Sequence, residues 1–228
     1  MPDQSLPAAN CLGVDVPMSP FLNPKRIKRI NEAGYEGQEI KAALHLVKEG
    51  DIVLELGAGI GVVSGVIAHN CKPKKIVSYE ANPNLIPHIK ELHKINKLTR
   101  VNSVRNKVLI SDPNAPATMP FFVHKSYLGS TLVGEAINSA NTVDIKVDKF
   151  NTVVKELNPN VLVMDIEGGE LDLLRHADLS GFRSIIIEYH PKIYGVAAMR
   201  ECKNYLRQAG ILPVQDFSTR RVWAATRA

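Results

Sequence analysis

The stretch "VLELGAGIGVVS" (residues 53–64) decides the fold, because three glycines stand between an apolar run and a helical pattern. Gly57, Gly59 and Gly61 permit a tight strand-to-helix turn, and their missing side chains let a ligand approach the backbone amides. The amino-terminal end of the following helix favours negative charge at the same place. The stretch therefore predicts a strand, a ligand-binding turn and a helix, with a tight turn that binds nothing as the alternative.

The spacing of these glycines and two nearby acids indicate which ligand the turn binds. A dinucleotide fingerprint reads G-x-G-x-x-G, whereas this turn reads G-x-G-x-G and has Glu55 two positions ahead of it. That acid would repel a pyrophosphate but can pair with the ammonium group of an amino-acid-bearing cofactor. Glu80 ends the next apolar run, where a carboxylate can accept both hydroxyls of a ribose. The two acids favour S-adenosyl-L-methionine over NAD.

Apolar runs alternate with helical patterns along the chain, which is typical of α/β proteins with a mainly parallel sheet. Because the runs are almost continuously apolar, the strands are expected to be buried on both faces. The predicted strands are residues 51–56, 75–80, 104–110, 161–165 and 184–188, with short strands at 119–124 and 142–147 and a closing hairpin over 211–217 and 220–226. The predicted helices are residues 37–48, 61–70, 84–96, 148–157, 170–177 and 196–209.

Length and composition suit one globular domain, since the chain has 228 residues, of which 45% are hydrophobic and 22% charged. We expect residues 1–30 to form a flexible or draped arm and residues 31–228 to form the domain. Cys11, Cys71 and Cys202 are far apart and odd in number, which disfavours disulfides and a zinc site. With neither a secretory signal nor a membrane span in the sequence, a cytoplasmic location is expected.

Five stretches carry a resemblance to a known family: "GYEGQEI" (34–40), "VLELGAGIGVVS" (53–64), "YEANPNLIPHIKELHKIN" (79–96), "MDIEGGELDLL" (164–174) and "IIIEYHP" (185–191). They resemble the FkbM family of class I S-adenosylmethionine-dependent methyltransferases, in which many members have Asp at the position of Glu55. The resemblance implies a Rossmann-like, seven-stranded, mainly parallel sheet with helices on both faces and a C-terminal antiparallel strand. It also implies methyl transfer to a hydroxyl group of a sugar or secondary metabolite.

The same resemblance implies which residues hold the cofactor. The glycine turn would hold the methionine end, the end of the second strand the ribose, and the stretch after the third strand the adenine. The cofactor-binding residues expected on this basis are Glu55, Gly57, Ala58, Gly59, Gly61, Glu80, Ala81, Asn82, Asn106, Lys107 and Asp165.

Two predicted strands end in acids, Asp165 and Glu188, and His190 follows the second. Because parallel strands end at one edge of a sheet, these side chains should meet there. Methyl transfer needs an acceptor held in line with the methyl group and a group that takes its proton. We expect Asp165, Glu188 and His190 to be catalytic, with His190 as general base and Glu188 orienting it or acting as base itself.

Three alternatives to this catalytic interpretation stay open. Asp165 could cap the helix that follows it, and His190 could be a solvated strand end. A divalent cation bound by Asp165, Glu188 and His190 is the third alternative, although the first expectation is that no metal is bound.

Further residues are expected near the acceptor because they lie in polar loops or beside the catalytic strands. These candidates are Tyr35, Lys125, Ser126, Tyr127, Ser130, Glu167 and Tyr194.

The net charge of +5 is carried largely by two short clusters, residues 23–30 and 72–75, which contain few aromatic residues. We attribute this charge to solubility. The expected partner is therefore a small-molecule acceptor, with no membrane and no nucleic acid, and self-association is left open.

A motif typical of other methyltransferases is absent from the sequence. The stretch "DIEGGE" (165–170) is not the Asn/Asp-Pro-Pro-Tyr/Phe motif of enzymes that methylate the amino groups of adenine or glutamine. Methylation of an amine, an RNA ribose or a protein stays open. Functions of a different class are an NAD(P)-dependent oxidoreductase and a non-catalytic cofactor-binding module.

Overall fold

A computed structural model describes residues 6–123 and 142–228, in which strands and helices alternate as predicted. The strands are β1 (Ala9–Cys11), β2 (Val14–Val16), β3 (Ile52–Leu56), β4 (Lys75–Tyr79), β5 (Asn102–Arg105), β6 (Val108–Ile110), β7 (Thr118–Phe122), β8 (Thr142–Lys149), β9 (Val161–Met164), β10 (Ser184–Glu188), β11 (Ile211–Pro213) and β12 (Val222–Arg227). The α-helices are α1 (Pro24–Asn31), α2 (Gly37–Leu46), α3 (Val62–Cys71), α4 (Ile86–Ile95), α5 (Phe150–Leu157), α6 (Glu170–His176) and α7 (Pro191–Gln208), and a short 3-10 helix spans Gln215–Phe217.

Seven strands form the central sheet in the order β11-β12-β10-β9-β3-β4-β5. β3 pairs in parallel with β4 and β9, and the parallel ladder continues to β5 and β10. β12 runs antiparallel to both β10 and β11, so the predicted seven-stranded α/β sheet with one reversed strand is confirmed. The strand order reverses beside β3, which opens a crevice at the carboxyl ends of β3 and β9.

The predicted strand over 104–110 is two strands that belong to different sheets. β5 pairs with β4, after which the Lys107 amide donates to the Arg105 carbonyl (3.0 Å) and turns the chain. β6 then joins β8 and β7 in a separate three-stranded sheet. The residues at the turn, 105–107, are polar, but the sheet that β6 joins depends on its pairing with the distant β8.

Helices cover both faces of the sheet, and the alternation of side chains along each strand divides the core between them. On one face, Leu54 and Ile187 pack with Phe150 of α5. On the other face, Val53 and Ile186 pack in the cluster that includes side chains of α2 and α3. All five side chains are fully buried, which explains the continuous apolar runs in the sequence.

The segment expected to be a flexible or draped arm is an ordered layer from residue 6 onward. β1 and β2 pair as an antiparallel hairpin in which Cys11 and Val14 are fully buried. The Asp15 amide donates to Asn96 Oδ1 (2.8 Å), and Asn96 Nδ2 donates to the Asp15 carbonyl (2.7 Å), which ties the hairpin to α4. The domain boundary after residue 30 stays a prediction.

The last helix begins earlier than predicted, at Pro191, because two helical pieces join across Gly195, whose φ is 88°. The closing hairpin is confirmed, with β11 pairing to β12. None of the helices formed by residues 6–123 and 142–228 combines the length and the apolar content needed to cross a bilayer.

His93 of α4 makes the stability of the fold sensitive to acid. Its side chain is 2% exposed, and burial lowers its pKa from 6.5 to about 4. Between these values the unfolded chain binds a proton that the folded protein does not, so the free energy of unfolding falls as the pH falls. We expect a loss of about 3 kcal/mol between pH 7 and pH 4 from this residue.

The check is urea unfolding of the native protein and of His93→Leu at both pH values. The free energy of unfolding of His93→Leu should fall less on acidification. His88→Leu replaces a half-buried histidine of the same helix and should show the same pH dependence as the native protein. If the free energy of unfolding falls equally with pH in the native protein and in His93→Leu, His93 is not the cause of this pH dependence.

Candidate active site

A cavity of about 480 Å³ opens at the carboxyl ends of β3, β4 and β9, beside the point where the strand order reverses. Its walls come from the glycine turn, the end of β4, the small sheet β6-β8-β7, the first residues of α2 and the loop after β9. Ligands of open α/β sheets bind at this position. The cavity is therefore the candidate site, and its lining includes Glu55, Gly57, Ala58, Gly59, Glu80, Ala81, Lys107, Asp165, Glu167, Tyr35, Glu36 and Glu39.

The glycine turn packs directly against the chain that carries Asp165. The φ of Gly57 is 82°, and a Cβ atom built there would lie 1.7 Å from the Asp165 carbonyl oxygen. The Asp165 amide donates to the Leu56 carbonyl (2.9 Å), which continues the pairing of β3 with β9 past the strand ends. Only glycine fits this position, because both its backbone conformation and its closeness to another chain segment exclude a side chain.

Glu80 joins the glycine turn to the end of β4. Its Oε2 accepts from the Gly59 amide (2.9 Å), and its Oε1 accepts from the Asn82 amide (2.7 Å). Burial raises the pKa of Glu80 to about 7, although the hydrogen bonds from these two amides oppose the shift. Each oxygen keeps a lone pair that can accept a hydroxyl group. Two backbone amides therefore fix the position of this carboxylate, and its contact with a ribose stays a prediction.

Glu55 is 1% exposed, and neither of its carboxylate oxygens has a hydrogen-bond partner among the described residues. Burial raises its pKa to about 7, and Ser78 and Ser64 act in the opposite direction. A buried acid without a partner is costly. An ammonium group in the cavity would offset that cost, so Glu55, the glycine turn and Glu80 together fit an amino-acid-bearing nucleoside.

The residues expected at the adenine occupy two different places. Lys107 lines the cavity and forms an ion pair with Asp148 (2.7 Å). Asn106 does not line it; its Nδ2 donates to the carbonyls of Glu80 (2.9 Å) and Ala81 (3.0 Å). Asn106 thus holds the loop that follows β4. The apolar wall beside it, which the sequence analysis missed, includes Val108, Leu109, Ile110, Met119 and Phe121.

Acids from three elements converge at the other end of the cavity. Asp165 and Glu167 follow β9, Glu36 and Glu39 belong to the start of α2, and Glu188 ends β10. Carboxylate oxygens of Glu36, Glu39 and Glu188 lie within 4.8 Å of one another. The group formed by Glu36, Glu39, Asp165, Glu167 and Glu188 is called the acid cluster below.

Burial, and after it the crowding of like charges, changes how these acids titrate. Burial raises the pKa of Asp165 well above its usual range, and Glu36 and Glu188 add to the shift. Burial and the neighbouring Glu36 raise the pKa of Glu39 to about 8. Burial also raises the pKa of Glu167, although His190 opposes the shift. Strongly shifted acids around one cavity are typical of functional sites.

The structure brings Asp165, Glu188 and His190 together as predicted, with one ligating atom from each within 4.8 Å of the others. Glu188 and His190 contact the cavity-lining acids but do not line the cavity themselves. Asp165 therefore stands between His190 and the open space. The catalytic role of all three stays a prediction.

The orienting acid of His190 is Glu170, which the sequence analysis missed, and not Glu188. Glu170 Oε1 lies 2.7 Å from His190 Nδ1, and the Glu170 side chain is fully buried. His190 Nε2 then faces Asp165 Oδ1 (3.4 Å) and Glu167 Oε2 (3.5 Å). Burial opposes a charge on His190, but Glu170, Glu167 and Glu188 outweigh it and raise the pKa.

The residues expected at the acceptor separate into three groups. Tyr35 and Glu167 line the cavity. Tyr194 instead holds the backbone, because its hydroxyl accepts from the His190 amide (2.7 Å). The structure describes nothing between residues 123 and 142, so the predictions for Lys125, Ser126, Tyr127 and Ser130 lie outside the described residues.

Comparison with protein families gives one match, the TRM5/TYW2 methyltransferase domain, over residues 27–112. The match covers less than half of the chain but includes the second half of α1, all of α2, the glycine turn and Glu80. No curated protein matches the chain significantly. The expected FkbM resemblance is therefore wrong, because the family that matches this part of the chain is a different one.

Several solved structures are similar to the chain at low sequence identity. An uncharacterised protein from Listeria monocytogenes serotype 4b is 11% identical with a TM-score of 0.50, covering 83% of this chain and 66% of that one. TYW2 from Pyrococcus horikoshii, in complex with MeSAdo, is 16% identical with a TM-score of 0.48, covering 93% and 66%. A precorrin-6y C5,15-methyltransferase from Geobacter metallireducens GS-15 is 10% identical with a TM-score of 0.47, covering 91% and 84%.

The similarity to the Listeria protein indicates the fold alone, and the chain spans about two thirds of the Listeria and Pyrococcus proteins. The expectation of a small-molecule acceptor without nucleic acid is contradicted by the family match, since TRM5/TYW2 methyltransferases act on tRNA. The expectation of the cofactor is confirmed. The chain has the α/β fold of the class I methyltransferases and is an S-adenosylmethionine-dependent methyltransferase.

Proposed function

We propose that this protein methylates RNA of the tRNA class. The observation that carries the proposal is the TRM5/TYW2 match over residues 27–112, because these residues build the cofactor half of the cavity and one side of its acid end. A family of enzymes that act on tRNA therefore shares the part of the chain that positions Tyr35 and Glu36.

A basic helix beside the cavity supports an RNA substrate. α1 exposes Lys25, Lys28 and Arg29, and it leads through a short turn to Tyr35 and Glu36. Arg29 Nη2 donates to the Gly34 carbonyl (2.8 Å), which fixes the turn between the helix and the cavity. Cations placed in this way can contact phosphates while a nucleotide enters the cavity. The charge that the sequence analysis attributed to solubility gains a specific role.

In this proposal, different residues of the site bind the cofactor and activate the acceptor. S-Adenosylmethionine supplies the methyl group as a sulfonium. Glu55 and the glycine turn are positioned for its methionine part, Glu80 for its ribose, and the wall from Val108 to Phe121 for its adenine. Asp165, Glu188 and His190 lie at the acid end and would activate the acceptor there.

The test is transfer of tritiated methyl groups to unmodified tRNA transcripts, compared with a double-stranded DNA of equal length. We expect label in the tRNA and none in the DNA, and Asp165→Asn should lower kcat at least about a hundredfold. Turnover on no RNA by a protein that binds the cofactor would overturn the proposal.

Charge reversal on α1 tests the docking of the RNA separately from the chemistry. Lys25→Glu combined with Lys28→Glu should raise KM for RNA about tenfold and make binding less dependent on salt, with kcat unchanged. Lys74→Glu is the matched control. Lys74 is exposed just before the amino-terminal end of β4, and the cavity opens at the carboxyl end of that strand. An equal rise in KM for both variants would contradict docking on α1.

A further inference from the structure

Asp165, Glu188 and His190 form a group with both carboxylate and imidazole donors. One ligating atom of each lies within 4.8 Å of the other two. The side chains of Glu188 and His190 are 13% and 12% exposed, and that of Asp165 is 28% exposed, so the group is shielded but can be reached from the cavity. Two carboxylates and one imidazole are a common donor set for divalent transition metals.

His190 is held in the orientation that metal-binding histidines adopt. Its Nδ1 lies 2.7 Å from Oε1 of Glu170, a fully buried carboxylate that also accepts from the Gly168 amide (3.2 Å). Nε2 is then left facing Asp165 Oδ1 at 3.4 Å. A carboxylate on one ring nitrogen fixes the tautomer so that the other nitrogen can bind a metal ion.

Buried acids around this group lack a cation. Glu39 is 6% exposed, its carboxylate lies within 4.8 Å of those of Glu36 and Glu188, and the described residues give it no cationic partner. Asp165 Oδ1 is buried, and its contact with His190 lacks hydrogen-bond geometry. Arg221, which lies 3.5 Å from Glu188, is mostly exposed. Buried carboxylates of one sign are unfavourable unless a cation joins them.

We propose that Asp165, Glu188 and His190 bind one divalent cation of the Mn²⁺ or Zn²⁺ type, with Glu170 as a positioning residue that orients His190. Glu39 lies against the site and adds negative charge to it. The mixed nitrogen and oxygen donors favour these ions over Ca²⁺, which prefers six or more oxygen ligands.

The ion also resolves a conflict within the proposed function, on which this step of the inference rests. RNA is a polyanion, and without a cation the acid cluster would repel it. A bound divalent ion offsets this charge and keeps open positions for an oxygen atom of the RNA. The three residues would then activate the acceptor through the ion.

Binding is measured with Mn²⁺ and the full chain alone, freed of metal by chelation and without RNA. Electron paramagnetic resonance should show one bound Mn²⁺ per chain, and spin-echo modulation should show a directly bonded nitrogen from His190. His190→Gln should abolish the nitrogen signal, and Asp165→Asn and Glu188→Gln should each weaken binding more than about tenfold.

Glu170→Gln tests the positioning role, since it should weaken Mn²⁺ binding about tenfold to a hundredfold and disturb the nitrogen coupling. Thermal unfolding of each metal-free variant verifies that it is folded, and Glu188→Asn takes the place of Glu188→Gln if that variant is not folded. Glu91→Gln, an exposed acid paired with Lys94 on α4, is the matched control and should leave binding unchanged.

The inference is overturned if Mn²⁺ does not saturate a site below about 1 mM, a level that corresponds to only about 4 kcal/mol of binding. It is also overturned if binding shows no nitrogen coupling and depends on Glu36 rather than on His190. Methylation of tRNA that persists undiminished in metal-free protein would refute the role of the ion and leave the proposed function standing. Mn²⁺ binding with the expected spectrum and no RNA turnover would refute the proposed function alone.

Discussion

Gly57→Ala is expected to unfold the junction between the glycine turn and the loop after β9. The added methyl carbon would lie 1.7 Å from the Asp165 carbonyl oxygen, and the φ of 82° is unfavourable for any side chain. Because the obstacle is backbone, relief requires movement of the whole segment that carries Asp165. We expect a loss of about 4 kcal/mol in the free energy of unfolding, which lowers Tm by roughly 10 °C in a protein of this size.

Calorimetric unfolding and titration with S-adenosylmethionine measure this effect. Cofactor binding should fall below detection even at temperatures where the variant is folded, because the turn can no longer hold its shape. Gly181→Ala is the control, since a Cβ atom there would lie 3.8 Å from the Pro159 carbonyl oxygen, an ordinary contact distance. Native Tm and native affinity in Gly57→Ala would show that the two segments are not packed as described.

Replacement of Glu80 is expected to give a large loss of cofactor affinity. Its two oxygens accept from the Gly59 and Asn82 amides, and we propose that they also accept the ribose hydroxyls. Glu80→Ala removes charged acceptors and leaves two amides unpaired. Hydrogen bonds to charged groups contribute about 1.5–3 kcal/mol each, so the dissociation constant should rise at least about a hundredfold.

The pH dependence of binding identifies the carboxylate. Since burial raises the pKa of Glu80 to about 7, the ionised form that accepts four hydrogen bonds is present above this pH and lost below it. Cofactor affinity of the native protein should therefore rise between pH 6 and pH 8. Burial also raises the pKa of Glu55 to about 7, so the informative quantity is the difference from Glu80→Gln, in which only the contribution of Glu55 is left.

Calorimetric titrations of both proteins across this range supply the comparison. The curve of Glu80→Gln should be flatter than the native curve and should lie below it at pH 8. Parallel curves would show that Glu80 does not recognise the ribose in its ionised form.

Local patterns in the sequence sufficed for the sheet and for the cavity-lining residues of the glycine turn and the end of β4. The strand before Gly57 and the acid at Glu80 follow from residues close in sequence, and the edge where Asp165 and Glu188 meet follows from parallel topology. The division of residues 104–110 between two sheets could not be predicted, because it depends on pairing of β6 with the distant β8.

The acid cluster could not be predicted from local patterns in the sequence. Glu36 and Glu39 come from α2, more than a hundred residues before Glu188, and their approach depends on how α2 packs on the sheet. In the sequence, Glu170 resembles any acid in the first turn of a helix. Only the fold brings it into contact with His190. The acceptor class was predicted wrongly because short motifs shared among methyltransferases describe the cofactor more closely than the acceptor.

Under the proposed function, Arg29 would give the amino-terminal segment a part in choosing the acceptor. Its guanidinium and carbonyl groups hold the turn at Gly34, after which Tyr35 and Glu36 enter the cavity. In the same proposal, cofactor recognition depends on Gly57 and Glu80. During divergence of such enzymes, exchange of the first thirty residues would therefore be a route to new acceptors that leaves the methyl donor unchanged.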